Sequence, residues 1–147
     1  MPRIVRNADV TWEGNVARGA GSITAASGAF AALPYSLATR IGQPEGKTSP
    51  EELLAAAHAG CWAMSLASEL AGRDVTPERV EVRATVIMDE VPGKGHQIVR
   101  SEIDAAVSAP GATEEVLAEA AKAADEGCPF SALIRASAEV AVSARLA

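Results

Sequence analysis

From Val80 to Met88 apolar residues fall at every second position, with Glu81, Arg83 and Thr85 between them. Val99, Ile103, Ala105 and Val107 keep the same alternation against Arg100, Glu102 and Asp104. A period of two sends the two sets of side chains to opposite faces, so both segments predict half-buried strands. The link Pro92-Gly93-Lys94-Gly95 predicts that they form an antiparallel hairpin. The pattern differs upstream, where Ser49-Pro50-Glu51-Glu52 offers a capping serine, a proline suited to the first helical position and a glutamate three residues after the cap. It predicts a helix running to Ala71 and stopped by Gly72. This helix is apolar almost all round, which predicts a central element covered on most sides.

Shorter signals flank these elements. Apolar runs at 10–12, 22–25 and 35–39 are broken by Glu13-Gly14-Asn15, by the glycines at 19 and 21, and by Pro34. They predict three short strands, with Arg40 closing the third, followed by a loop over 42–47. Thr113-Glu114-Glu115 opens a second helix that reaches Glu126 and ends at Gly127. After Cys128-Pro129, the residues Ala136, Ala138, Val140, Val142, Ala144 and Leu146 predict a last strand. Strands, helix, hairpin, helix and strand make an α+β order, not a repeated βαβ.

The 147 residues are the size of one domain, expected over 1–147. Hydrophobic residues at 48% and charged ones at 22% exclude a disordered chain. Aromatic residues are only 3%, so the core must be built from Ala, Val, Leu and Ile. Thirteen basic against nineteen acidic residues leave a net charge of −6, which argues against nucleic acid or an anionic membrane as partner. Residues 1–9 carry no apolar run of the secretory type, so no secretory signal is expected. Residues 53–71 approach spanning length but are interrupted by His58, Ser65, Ser68 and Glu69, so a buried helix of a soluble protein is expected. The expected compartment is the cytoplasm, where thiols are held reduced.

Two cysteines, Cys61 and Cys128, stand 67 positions apart. They are too few for a disulfide scaffold and form no CxxC knuckle. Cys61 lies within His58-Ala59-Gly60-Cys61-Trp62, in the middle of the long helix. Free cysteine is often a small core side chain, and that reading stands for both residues. Three details point to chemistry instead. His58 shares a helix face with Cys61; Gly60 weakens the helix unless something packs closely there; Cys128 occupies a corner between a helix end and a proline. The pair could serve as attacking and resolving thiols, and a metal site built from Cys61, Cys128, His58 and His96 is the rival use. Arg40 and Glu51 supply a cation and a carboxylate near the start of the long helix, although each also reads as an ordinary surface or helix-end charge.

Thr39-Arg40, the block Ser49-Pro50-Glu51-Glu52-Leu53-Leu54-Ala55-Ala56-Ala57-His58-Ala59-Gly60-Cys61, and Gly127-Cys128-Pro129-Phe130-Ser131 together resemble the OsmC/Ohr family, with Arg40 and the histidine-bearing helix favouring the OsmC branch. Trp12-Glu13-Gly14 and the final strand extend the likeness over nearly the whole chain. The resemblance implies an OsmC-like fold of antiparallel sheets around two central helices, assembled as an intertwined homodimer. It also implies a thiol peroxidase, without metal or haem, that reduces organic hydroperoxides and more weakly hydrogen peroxide. Carried to this sequence, Cys61 resembles the peroxidatic cysteine, Cys128 the resolving one, and Arg40 with Glu51 the charged pair that orients thiolate and substrate. Arg18 is a rival for the role of Arg40. An external dithiol is the implied reductant, and Trp62, Met64 and Phe130 are expected to wall an apolar substrate site. Glu51 and Cys61 are ten residues apart, about 15 Å along a helix, so a second chain is the expected donor of Glu51. A non-enzymatic ligand-binding dimer of the same fold is the alternative from another class.

Overall fold

The long helix runs where the sequence predicts, with Pro50 as its first residue and Gly72 just past its end: α2 spans Pro50–Ala71. The computed structural model describes residues 2–147, so Met1, the first residue of the expected domain, lies outside the described residues. The chain divides into two compact units, one ending at Pro50 and one spanning Glu51–Ala147.

In the first unit β1 (Ala8–Glu13), β2 (Ala20–Ala25) and β3 (Leu33–Tyr35) form an antiparallel sheet in that order. Trp12 and Tyr35 face each other across the central strand with ring centroids 5.5 Å apart. A Cβ on Gly21 between them would sit 2.2 Å from the tyrosine ring, so only glycine fits beneath the pair. The strand is exposed along all of β1, and Ile23 is the one buried large apolar residue among the described residues of this unit. The run at 35–39 does not form the expected strand. Ser36 ends it by accepting a hydrogen bond from the Thr39 backbone N–H at 3.2 Å, with its hydroxyl 2.8 Å from that of Thr39. That cap starts the short helix α1 (Leu37–Ile41), and Arg40 therefore sits in a helical last turn, not at a strand end.

In the second unit β4 (Arg79–Val91) and β5 (Gly95–Ser108) form the predicted hairpin, with Gly93 and Gly95 at φ of 78° and 75° supplying the left-handed turn. Thr113 caps α3 (Glu114–Gly127) by accepting from the Val116 N–H at 3.1 Å. A further helix that the sequence reading passes over, α4 (Pro129–Arg135), precedes β6 (Glu139–Leu146). Cys128 is its N-cap and Pro129 its first residue, the position where a missing N–H costs nothing. Because α3 and α4 carry the chain back along the sheet, β6 runs parallel to β5, and this sheet is mixed where antiparallel pairing was expected.

The core of this unit joins Trp62, Leu66 and Leu70 of α2 to Ile103, Ala105 and Val107 of β5 and to Leu117, Ala120 and Ala124 of α3. Burying a leucine of this kind contributes about 2 kcal/mol. On α2 the buried residues are His58, Trp62, Leu66 and Leu70, a single row at every fourth position. The expectation of a helix covered on most sides is corrected on the opposite row, where Ala56, Gly60, Met64 and Ser68 are exposed, Met64 by 77%. No atom lies within 4 Å of a Cβ built on Gly60, so its glycine answers no close contact within the described chain.

Candidate active site

Cys61 and Cys128 meet. The α2 row brings Cys61 to the edge of the core, half-buried, and the α3–α4 corner brings Cys128 into it with no exposed surface. Their side chains are close neighbours, and both are free thiols. Burial, and after it the neighbouring Cys128 thiol, push the Cys61 thiol above its ordinary value. The Phe130 backbone and the Ser65 side chain oppose that rise without cancelling it. Cys128 is not a loose corner: its Sγ accepts from the Ser131 backbone N–H at 3.5 Å and so closes the first turn of α4. An ion pair of 2.5 Å between Asp125 of α3 and Arg135 of α4 ties the two helices on either side of it.

His58 lies one turn before Cys61 and is fully buried. Its Nδ1 is 2.7 Å from Ser101 Oγ of β5, and its Nε2 is 2.8 Å from Ser131 Oγ of α4. Desolvation holds its pKa below the ordinary imidazole value, with Asp125 pulling upward and Arg135 downward. Ser101 and Ser131 are themselves buried. Neither was among the sequence candidates, yet each had a signal. Ser101 is the single polar residue in the inward alternation Val99, Ser101, Ile103, Ala105, Val107, and Ser131 follows Cys128 by the same three positions that separate His58 from Cys61.

Each remaining candidate is placed within its own unit. Glu51 is in the first turn of α2, about 15 Å along the axis from Cys61 of the same chain, so one chain does not bring them together. Arg40, in the other unit, lines a surface cavity of about 390 Å³ with Trp12, Val16, Tyr35, Ser36 and Leu37. Arg18 sits in the exposed turn after β1, its backbone N–H donating to Asn15 Oδ1 at 2.9 Å. Trp62 does not wall a substrate site as expected, because it has no exposed surface and packs into the core, while Met64 stands exposed on the uncovered row. His96 is exposed at the hairpin tip, far in character from buried His58. Among the described residues no three His, Cys, Asp or Glu side chains cluster to hold a metal ion.

A pair of neighbouring thiols, one half-buried and one buried, can be oxidised at one sulfur and closed by the other. Residues 42–143 match the family described as OsmC-like protein. Over 125 residues, 85% of this chain and 86% of the relative, the sequence is 34% identical to "Peroxiredoxin OsmC" of Escherichia coli K12. Among solved structures, an organic hydroperoxide resistance protein OsmC from Legionella pneumophila superposes with a TM-score of 0.75 at 22% identity, covering 97% of this chain and 98% of that one. The organic hydroperoxide resistance protein OhrB of Bacillus subtilis gives 0.74 at 23%, covering 95% and 98%. At those identities the two structures speak to the fold.

Proposed function

The chain belongs to the OsmC-like protein family, and from that premise we propose that it is a thiol peroxidase reducing organic hydroperoxides, and more weakly hydrogen peroxide. The observation that carries the reading is the contact between two free thiols 67 positions apart in sequence. Both units are read as parts of one OsmC-like domain.

In the proposed cycle the Cys61 thiolate attacks the terminal peroxide oxygen, the O–O bond breaks, and the alkoxide leaves as an alcohol after taking a proton. Cys61 is then a sulfenic acid. Cys128 attacks its sulfur, the S–O bond breaks, and the thiol proton leaves with the hydroxyl as water. An external dithiol reopens the disulfide by exchange. Because the surroundings within Glu51–Ala147 raise the Cys61 pKa, a cation is needed to favour the thiolate and the departing charge. Arg40 is assigned that role, with Glu51 orienting it.

Glu51 acts, in this reading, on the Cys61 of a second chain in a homodimer. The uncovered row of α2 and the fully exposed β1 support such an assembly. No helix among the described residues is long and apolar enough to cross a membrane, and the reaction is assigned to the cytoplasm, where reduced thiols are available.

Titration of free thiols before and after one equivalent of cumene hydroperoxide tests the proposal. Loss of both thiols, restored by dithiothreitol, is expected. Cys61→Ser should abolish peroxide consumption, while Cys128→Ser should allow one turnover and leave Cys61 oxidised. The raised Cys61 pKa favours a second reading, a ligand-binding dimer with inert core thiols, and unchanged thiol counts after peroxide would decide for it.

A further inference from the structure

Two helices face each other at the thiol pair through matched spacings. On α2, His58 precedes Cys61 by three residues; at the start of α4, Ser131 follows Cys128 by three. Side chains three apart share a helix face, so the contacts form two rungs running in opposite chain directions. One rung is polar, His58 Nε2 to Ser131 Oγ at 2.8 Å; the other is Cys61 to Cys128. The polar rung is anchored at both ends. Ser101 Oγ holds the far nitrogen of His58 at 2.7 Å from the central strand β5, and the Ser131 backbone N–H grips Cys128 Sγ at 3.5 Å. All of Ser101, His58, Ser131 and Cys128 are buried without exposed surface, so water offers none of them a substitute partner. The hydroxyls of both serines can donate or accept, which lets a neutral imidazole bond to both in either tautomer.

We propose that His58 and Ser131 are positioning residues for the resolving step: their rung fixes the first turn of α4 against α2 and thereby sets the effective molarity of the Cys128 thiol at Cys61. The step itself forms one S–S bond and breaks one S–O bond, with water carrying off the Cys128 proton, so no catalytic base is required of the histidine. Its contribution is geometric, and effective molarity falls steeply with misplacement of about 1 Å. The rung does not touch peroxide, so the first oxidation of Cys61 proceeds without it. A delayed resolution leaves the sulfenic acid open to a second peroxide, which carries it to sulfinic acid.

The proposal rests on the peroxidase reading, and its test separates the two. The Cys61–Cys128 disulfide is equilibrated in dithiothreitol redox buffers, which need no peroxide, in the full chain and in Ser131→Ala, Ser131→Thr, His58→Gln and Leu117→Ala. Ser131→Ala and His58→Gln should lower the effective molarity about 10- to 100-fold, and Ser131→Thr should restore it. In dimedone-trapping experiments with cumene hydroperoxide, Ser131→Ala should form sulfenic acid at the parental rate and accumulate sulfinic acid at Cys61. Leu117→Ala, a core truncation on α3, should lower stability without changing the disulfide equilibrium. If Ser131→Ala and His58→Gln keep the parental effective molarity, or if Leu117→Ala loses as much of it, the rung is only structural and the proposal falls. If peroxide oxidises neither thiol in the parental chain while the disulfide equilibrium still responds to Ser131→Ala, the peroxidase reading falls alone.

Discussion

Protonating His58 means placing a charge where there is no exposed surface and where its two neighbours are neutral hydroxyls. Of the nearby charges, Asp125 favours the proton and Arg135 opposes it, and desolvation outweighs both, leaving the folded pKa below 6.5. In the interval between that folded value and 6.5 the unfolded chain binds a proton that the folded chain refuses. The stability due to the neutral ring is therefore whole above 6.5 and is lost as pH falls below it. Urea midpoints taken at about pH 7.5 and about pH 5 should drop more steeply in the parental chain than in His58→Gln, whose side chain does not titrate. Equal slopes would mean that the imidazole keeps its ordinary pKa on folding. His58 beside Cys61 in sequence invites a proton-transfer role, but three residues on a helix place it in a neighbouring rung, with both nitrogens already engaged.

At the level of elements, the five-residue α1 carries Arg40 and depends on one cap. Ser36→Ala removes the acceptor of the Thr39 N–H and the hydroxyl contact to Thr39, a loss of about 1 kcal/mol. If Arg40 activates Cys61, that substitution should slow sulfenic acid formation while the Cys61–Cys128 equilibrium in dithiothreitol buffers stays put. Stopped-flow peroxide oxidation checks the first and quantified disulfide the second. The same element shows why some of the fold was readable and some not. α2, α3 and the β4–β5 hairpin announce themselves through local rules, a serine-proline start, a threonine cap and a strict alternation, each supported over many residues. Helices α1 and α4 are too short to show a period, and their only marks are Ser36 and Cys128-Pro129, the latter equally compatible with a corner without a helix. The parallel docking of β6 depends on where α3 and α4 deliver the chain, which no local pattern encodes. Of the site, the two cysteines were legible as a pair through their surroundings, whereas Ser101 and Ser131 acquire meaning only when β5 and α4 converge on His58.

For the whole molecule, the deciding feature is how much apolar surface one copy leaves uncovered. Met64 is 77% exposed at the centre of a row that also holds Ala56, Gly60 and Ser68, and Val10 and Trp12 of β1 are exposed as well. A charge at the centre of an apolar contact is left unpaired when two copies close on it. In the proposed dimer, Met64→Glu should therefore shift the equilibrium toward monomer in light scattering coupled to size exclusion, and peroxide turnover should fall with it if Glu51 serves the opposite chain. A parental chain that elutes as a monomer at all concentrations would remove the dimer and the shared site together. The contact between Cys61 and Cys128 has a consequence beyond the reaction. A bond between them closes a loop of 67 positions that contains the whole β4–β5 hairpin and α3. Such a cross-link removes about 4 kcal/mol of chain entropy from the unfolded state. The oxidised form is thus the more durable one: resistance to unfolding rises while the molecule holds the oxidising equivalents and falls when a dithiol collects them.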